Sequence, residues 1–146
     1  NFIFNSNSEL LKTEYSESSL KTHFRKKDNE GRKFRERIIN SKSYKYYADE
    51  GKLIGSVWND IKSMQANSPI MKEYTIYPNQ KPISLLTRII SASSNKGDYI
   101  LDSYCGSGTS LVAAEKLNRN WIGVDAENQS IETIKLRIKE NSFYQI

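Results

Sequence analysis

The stretch Tyr99-Ile-Leu-Asp-Ser-Tyr-Cys-Gly-Ser-Gly-Thr109 continues as Ser110-Leu-Val-Ala-Ala-Glu-Lys-Leu-Asn-Arg-Asn120 and ends in Trp121-Ile-Gly-Val-Asp125. It contains a short apolar run followed by a glycine-rich turn, a helix-like segment, and a second apolar run that ends in an acid. The pattern predicts a strand over 99–103, a helix over 109–118 and a strand over 121–125. Together these elements form a βαβ unit whose glycine turn is placed to bind a ligand.

The residues of the turn predict which kind of ligand it holds. Gly106 and Gly108 let the backbone turn tightly and approach a ligand closely. Thr109 opens a helix whose first N–H groups lack partners within the helix and favour polar or anionic groups. Asp125 ends the neighbouring strand, where a carboxylate can accept hydrogen bonds from both hydroxyls of a ribose. We therefore predict a cofactor that contains a nucleoside.

Two common nucleotide motifs do not fit this turn. The dinucleotide fingerprint needs a third glycine where this chain has Leu111, and the Gly-Lys-Ser/Thr of a phosphate-binding loop does not occur. A turn whose glycines only permit a sharp bend is the structural alternative.

Composition and length narrow the class of protein. With 146 residues, 37% of them hydrophobic, the chain has the size of about one domain and can bury an ordinary core. The single cysteine excludes an intramolecular disulfide, and one cysteine with one histidine argues against a metal site. No apolar stretch reaches the roughly 20 residues of a membrane span, and no signal peptide is visible. We expect a cytoplasmic protein without a membrane or metal partner.

Positive charge is concentrated in one segment. Residues 21–37 carry eight Lys/Arg and three acids, an excess equal to the net charge of +5 of the whole chain. Aromatic residues are interleaved with these cations, as contact with phosphates and stacking on bases would require. A solvated face of a small subdomain with an aromatic core is the alternative. The candidate DNA-binding residues are Arg25, Lys26, Lys27, Arg32, Lys33 and Arg35.

The remaining sequence predicts further elements and one boundary. We expect a loose helix over 8–20, short strands over 32–35 and 44–47, and a loop over 62–76. A helix with an apolar stripe follows Pro82, and another helix covers 129–141, before a frayed tail from 142. These patterns divide the chain into residues 1–76 and 77–146.

Three segments, in this order, resemble motifs of the DNA amino-methyltransferases. Tyr77-Pro-Asn-Gln-Lys-Pro82 with the apolar residues after it is similar to motif X of that family. Asp102-Ser-Tyr-Cys-Gly-Ser-Gly-Thr109 resembles motif I, commonly Asp-Pro-Phe-x-Gly-Ser-Gly-Thr, and Arg119-Asn-Trp-Ile-Gly-Val-Asp125 resembles motif II. The order is that of the circularly permuted β class, which includes modification subunits of type III restriction systems and many type II adenine methylases.

The resemblance implies a fold, a cofactor and residue roles. The fold would be α/β, a partial Rossmann-like methyltransferase fold made of the motif X helix plus βαβα. An irregular α+β segment from a target-recognition region, residues 1–76, would precede it. S-adenosylmethionine would bind the backbone from Gly106 to Thr109, with Tyr104 packed against it and Asp125 on the ribose. The implied cofactor-binding residues are Gln80, Lys81, Pro82, Asp102, Tyr104, Cys105, Gly106, Ser107, Gly108, Thr109 and Asp125.

The catalytic loop of that family is missing from this sequence. Its Asp-Pro-Pro-Tyr or a close variant grips the flipped-out base, but the prolines here, Pro69, Pro78 and Pro82, are never adjacent. We therefore expect no catalytic residue in this chain and no activity of the chain alone. The rest would lie on a missing N-terminal part or a partner chain, with double-stranded DNA as substrate and a homodimer or restriction subunit as further partner.

Two other hypotheses stay open. The chain could be a non-catalytic DNA-binding or assembly remnant that uses the basic segment 21–37, or a Rossmann-like domain for another nucleoside ligand.

Overall fold

The computed structural model describes residues 2–75 and 77–138, and the chain divides into two compact units. One unit comprises Ser6–Val57, and the other combines Asn1–Asn5 with Trp58–Ile146. Among the described residues, no helix is both long enough and apolar enough to cross a lipid bilayer. The same residues contain no group of His, Cys, Asp and Glu side chains that could hold a metal ion.

The unit Ser6–Val57 is built around a small antiparallel sheet. Its elements are β1 (Lys12–Thr13), α1 (Glu17–His23), β2 (Lys26–Lys27), β3 (Lys33–Ile39), β4 (Lys42–Tyr47) and β5 (Lys52–Leu53), with 3-10 turns at Glu9–Leu11 and Ala48–Glu50. Strands β2, β3 and β4 form one sheet in that order, and β1 pairs with β5. Asn40 and Ser41 connect β3 to β4 with positive φ angles of 50° and 61°, the conformation of a tight two-residue hairpin turn.

Predictions for this unit are partly confirmed. The predicted strands over 32–35 and 44–47 are present and belong to one hairpin. The predicted helix over 8–20 is wrong: Lys12 pairs with Leu53 in the short ladder of β1 and β5. The helix begins only after Ser16, whose side chain accepts a hydrogen bond of 3.3 Å from the backbone N–H of Ser19. The helix therefore starts later than predicted, because Lys12 pairs with a distant strand and Ser16 caps the helix. Helical periodicity in the sequence reports neither of these interactions.

The other unit carries the predicted α/β arrangement. Its elements are α2 (Ile83–Ser93), β6 (Tyr99–Asp102), α3 (Thr109–Lys116), β7 (Asn120–Gly123) and α4 (Asn128–Arg137), with a 3-10 turn at Met71–Glu73. Strands β6 and β7 are parallel, with Tyr99 opposite Asn120 and Asp102 opposite Gly123. The predicted α/β fold class and the βαβα order after the motif X helix are confirmed. Positions 139–141 of the last predicted helix, and the tail from 142, lie outside the described residues.

The core of this unit lies on one face of the parallel pair. Buried residues of the helices, together with the residue that follows α4, supply it: Ile90, Leu111, Val112, Ala113, Ala114, Ile134 and Ile138. Ile100 and Trp121 pack against this core from the strands, while Leu101 and Ile122 point to the exposed face. Each fully buried aliphatic side chain contributes about 1.5–3 kcal/mol, so α2, α3 and α4 hold the strand ends firmly on this side.

The carboxyl end of α2 is tied to two distant segments. Asn5 donates from Nδ2 to the carbonyl oxygens of Ser91 at 3.0 Å and Ser94 at 2.7 Å. Arg119 donates to the Ser94 carbonyl at 2.6 Å. These bonds satisfy carbonyls that have no partner inside the helix.

The division between the units falls between Val57 and Trp58. The predicted division at residue 76 separates a target-recognition region from a cofactor-binding region, and it stays a prediction.

Candidate cofactor site

The glycine turn connects β6 to α3, and backbone hydrogen bonds and two positive φ angles define its conformation. The N–H of Cys105 donates to the carbonyl of Val124 at 3.1 Å, which extends the pairing of the two strands beyond their ends. The N–H of Gly108 donates to the carbonyl of Cys105 at 2.7 Å and closes the turn. Gly106 and Gly108 have φ angles of 51° and 71°, which residues with a Cβ rarely adopt.

Both glycines also lie against other parts of the unit. A Cβ on Gly108 would come within 2.5 Å of Ile134 Cγ1, and one on Gly106 within 3.1 Å of the Tyr77 ring. The turn therefore needs glycine twice over, once for its backbone conformation and once for close packing against α4 and the segment before α2.

Asp125 holds the turn from the segment that follows β7, two residues beyond the end of the strand. Its Oδ2 accepts a hydrogen bond of 2.7 Å from the N–H of Gly106, and its Oδ1 accepts one of 3.0 Å from the N–H of Glu127. These two bonds, led by that of Glu127, lower the pKa of Asp125 below its ordinary value. Each carboxylate oxygen can accept a second hydrogen bond, so the group can hold the turn and still receive a hydroxyl donor.

Arg137, the last residue of α4, braces the turn from the other side. Its Nη1 donates to the carbonyl of Ser107 at 2.5 Å and to Thr109 Oγ1 at 3.2 Å. Its Nη2 is buried and has no hydrogen-bond partner among the described residues. Burial lowers the pKa of this guanidinium. A partly buried cation thus lies directly behind the backbone of the glycine turn.

The side chains of the turn mostly point inward. Ser107, Thr109 and Ser110 are buried, and Ser107 Oγ lies 3.0 Å from Thr109 Oγ1. Ser110 donates its hydroxyl hydrogen to Asp102, whose other oxygen accepts from the N–H of Tyr104 at 3.2 Å. Because these hydroxyl groups are buried and already have partners, a ligand would meet the backbone of the turn and the first N–H groups of α3.

Tyr104 and Cys105 differ sharply in exposure. The Tyr104 side chain is 90% exposed, which leaves its ring available to pack against a ligand. Cys105 is buried, its Sγ lies 3.9 Å from Ser130 Oγ, and burial raises the pKa of its thiol. A buried thiol with a raised pKa is a packing residue, not a nucleophile.

The segment before α2 contains three further residues of the predicted site, Gln80, Lys81 and Pro82. The amide of Gln80 is buried: its oxygen accepts from the N–H and the hydroxyl of Thr75, both at 2.8 Å, and its nitrogen donates to the Glu73 carbonyl at 2.6 Å. Gln80 therefore shapes the loop. Lys81 is exposed, and its Nζ donates to the Asn79 carbonyl at 2.9 Å. Pro82 is the residue immediately before α2, as its fixed φ favours.

Three residues at the turn were not predicted from the sequence. Tyr77 packs against Gly106, and burial together with Asp125 and Glu127 raises the pKa of its hydroxyl. Ser130 donates to the Gly106 carbonyl at 2.6 Å, and Arg137 binds the Ser107 carbonyl. Ser130 lies four residues before the buried Ile134 on α4, and a small polar residue at this spacing is only a weak signal. No local signal marked Arg137, because its contact joins residues 30 positions apart.

The candidate DNA-binding residues fall into two groups. Arg32 donates to Asp49 and Glu50, Lys26 Nζ lies 2.5 Å from Glu36 Oε2, and Arg35 lies over the rings of Tyr15, Phe24 and Tyr46. The remaining three, Arg25, Lys27 and Lys33, are exposed. Half of the predicted set is therefore engaged within the unit.

Comparisons with known proteins agree on one family. A sequence model of the family described as DNA methylase matches residues 3–136. The type II methyltransferase M2.DpnII of Streptococcus pneumoniae is 40% identical over 91 residues, which are 62% of this chain and 32% of that protein. The type II methyltransferase M2.MboI of Moraxella bovis is 47% identical over 81 residues, 56% of this chain and 30% of that protein.

Among solved structures, the M1.HpyAVI–SAM complex is similar with a TM-score of 0.47 and 37% identity, over 54% of this chain and 36% of that one. The chain spans about a third of the length of the relatives it matches. The family match covers most of both units, including the glycine turn, Asp125 and the basic strands. The chain therefore belongs to the DNA methylase family.

Proposed function

We propose that this chain is the S-adenosylmethionine-binding part of a site-specific DNA adenine methyltransferase of a restriction–modification system. The observation that carries the proposal is the hydrogen bond of 2.7 Å from the N–H of Gly106 to Asp125 Oδ2, which ties this acid to the glycine turn at the carboxyl end of β6. Ligands of open α/β sheets bind at that end of the strands. S-adenosylmethionine supplies an activated methyl group when bound, and this chain supplies its site.

Different residues of the site would contact different parts of the cofactor. Asp125 retains acceptor capacity for ribose hydroxyls, and the first N–H groups of α3 favour the anionic carboxylate of the methionine portion. The exposed ring of Tyr104 offers an apolar surface beside the turn. Lys81 and the Pro82-led helix would close the pocket, while Gln80 would act indirectly by shaping its loop. The base-gripping loop would lie elsewhere in the whole protein or on a partner chain.

Isothermal titration calorimetry of the chain with S-adenosylmethionine tests this proposal. We expect Asp125→Ala to weaken binding by tenfold or more, since it removes both the ribose acceptor and the bond to Gly106. Asp98→Ala is the matched control, because Asp98 accepts a backbone N–H of 2.8 Å from Asn95 at the opposite end of β6. Equal affinity in wild type and Asp125→Ala would refute the assignment of this pocket.

The second candidate function is a DNA-binding or assembly remnant without cofactor binding. The concentration of eight Lys/Arg within residues 21–37 favours it. It predicts DNA affinity with a steep salt dependence and no heat of binding with S-adenosylmethionine. A thermal-shift panel of nucleoside cofactors separates both candidates from a site for another nucleoside, because only a ligand of the folded state raises the melting temperature.

A further inference from the structure

The three-stranded sheet of the Ser6–Val57 unit separates its charges between two faces. Directly opposite residues of an antiparallel pair lie on the same face, and successive residues of a strand alternate between faces. One face therefore carries the pairs Lys27–Lys33, Arg35–Tyr46, Arg37–Tyr44 and Ile39–Lys42. We call it the basic face, because it has five Lys/Arg and no acid.

The opposite face has two cations and one acid, and the acid pairs with one of these cations. It carries the pairs Lys26–Phe34, Phe34–Tyr47, Glu36–Lys45 and Ile38–Ser43. Glu36 Oε2 lies 2.5 Å from Lys26 Nζ, and its Oε1 accepts from Ser43 Oγ at 2.5 Å. These contacts lower the pKa of Glu36, so the carboxylate stays charged.

Side-chain contacts divide the basic face further. Arg35 lies over the rings of Tyr15, Phe24 and Tyr46 at 5.2–5.4 Å, and its Nε is buried, so it belongs to the packing of the unit. The other four cations, Lys27, Lys33, Arg37 and Lys42, are exposed. Lys33 and Arg37 lie four residues apart on β3, a separation of about 13 Å along the strand. This spacing allows contact with more than one phosphate of a duplex.

A cavity beside β3 is lined by residues of both faces. It has a volume of about 330 Å³, and its lining residues are His23, Arg25, Lys26, Arg35, Glu36 and Arg37. The acid among them is already bound by Lys26 and Ser43. Arg25 and Arg37 therefore present their charge where β2 no longer pairs with β3, and an anionic group can approach them from solvent.

We propose that the basic face contacts the phosphate backbone of duplex DNA through Lys27, Lys33, Arg37 and Lys42, with Arg25 at its edge and Tyr44 beside Arg37. This inference rests on the proposed function, which makes duplex DNA the polyanion that the chain meets. Three of the contacts predicted from the sequence, Lys26, Arg32 and Arg35, are engaged inside the unit and are left out. Arg37 and Lys42, which were not among the predicted contacts, take their place. Contacts of this kind position a protein on DNA without reading sequence.

The test compares two double variants. Each loses two positive charges, one variant on the basic face and the other elsewhere in the unit. Arg37→Gln/Lys42→Gln removes two cations from the basic face, and the control Lys45→Gln/Lys52→Gln removes one from the opposite face and one from β5. Anisotropy of a short fluorescent duplex is measured with the full chain over a series of salt concentrations. We expect the first variant to bind about tenfold more weakly and its salt slope to fall by about two, with the control close to wild type.

Further measurements keep the outcomes distinct. Lys33→Gln provides a second, single-site variant, Arg37→Lys retains charge and should retain binding, and circular dichroism melts verify folding. Equal losses in both double variants, or none in either, would overturn the basic face as the DNA contact. Titration with S-adenosylmethionine is run in parallel: absent cofactor binding with the expected DNA result overturns the proposed function and leaves this inference standing.

Discussion

Asp125 Oδ2 accepts a hydrogen bond of 2.7 Å from the backbone N–H of Gly106, 19 residues earlier in the chain. The bond joins the segments that follow two adjacent parallel strands. One carboxylate thus fixes the shape of the turn and forms part of the surface a cofactor would touch. Under the proposed function, cofactor binding and fold stability would be coupled at this residue.

The contribution of Asp125 to stability should depend on pH. The pKa of Asp125 is lower in the folded state than the ordinary value near 4, so the unfolded chain binds the proton more readily. The stabilisation is present above about pH 4 and is lost as the pH falls through the folded-state pKa. We expect Asp125→Asn to lower the melting temperature at pH 7, with the difference from wild type shrinking below about pH 4. A difference that does not change with pH would contradict this.

Gly108 allows the backbone cost of a substitution to be separated from its packing cost. Gly108→Ala forces a Cβ into the αL region and places it 2.5 Å from Ile134 Cγ1, so we expect a loss of about 3 kcal/mol in unfolding free energy. Gly97→Ala is the control, because its φ of 85° is similar but nothing lies within 4 Å of the new Cβ. It should cost only about 1 kcal/mol by denaturant titration. Equal losses at the two sites would show that the Ile134 side chain shifts to accommodate the new Cβ.

Arg137 should affect cofactor binding more than folding. Arg137→Met releases the Ser107 carbonyl but also removes a partly buried cation with an unpartnered Nη2, and these two effects on stability oppose each other. We expect unfolding free energy within about 1 kcal/mol of wild type and a several-fold loss of affinity for S-adenosylmethionine by calorimetry. Lys135→Met, on the same helix with a surface ion pair to Glu132, is the control. Unchanged affinity in Arg137→Met would remove the residue from the site.

The first residues of the chain should stabilise the α/β unit. Asn5→Ala removes the side-chain bonds to Ser91 and Ser94 at the end of α2, and we expect a loss of about 1–2 kcal/mol in chemical unfolding. Phe4→Ala is the control, because Phe4 is 66% exposed and should be neutral. Similar small effects of both substitutions would mean that solvent satisfies the helix end equally well.

Local pattern was sufficient for the elements around the glycine turn. The apolar runs of β6 and β7, and the apolar stripe that follows Pro82, predicted their elements to within a few residues, because every signal lies inside or directly beside the element that it describes. The helix over 8–20 was wrong for the converse reason, since the pairing of Lys12 with Leu53 outweighs a weak local preference.

The site divides in the same way. The positive φ angles of Gly106 and Gly108 and the position of Asp125 beside the turn were predictable, since a glycine-rich turn and an acid after an apolar run are visible in the local sequence. Their roles toward a cofactor stay predictions. The sequence could not decide which of its neighbours are already occupied. Gln80 bonds to Thr75 and Glu73, and Arg32 bonds to Asp49 and Glu50. Sequence alone does not separate a free cation or amide from a paired one.

The sequence by itself determined the βαβα order, the glycine turn and the basic segment, because each depends on residues close together in the chain. The tertiary structure decided that Arg137 braces the turn and that Asn5 belongs with α2. It also decided which cations of the hairpin face solvent. These relationships depend on strand register and on contacts between distant residues, and their hydrogen bonds form only when packing brings both partners together.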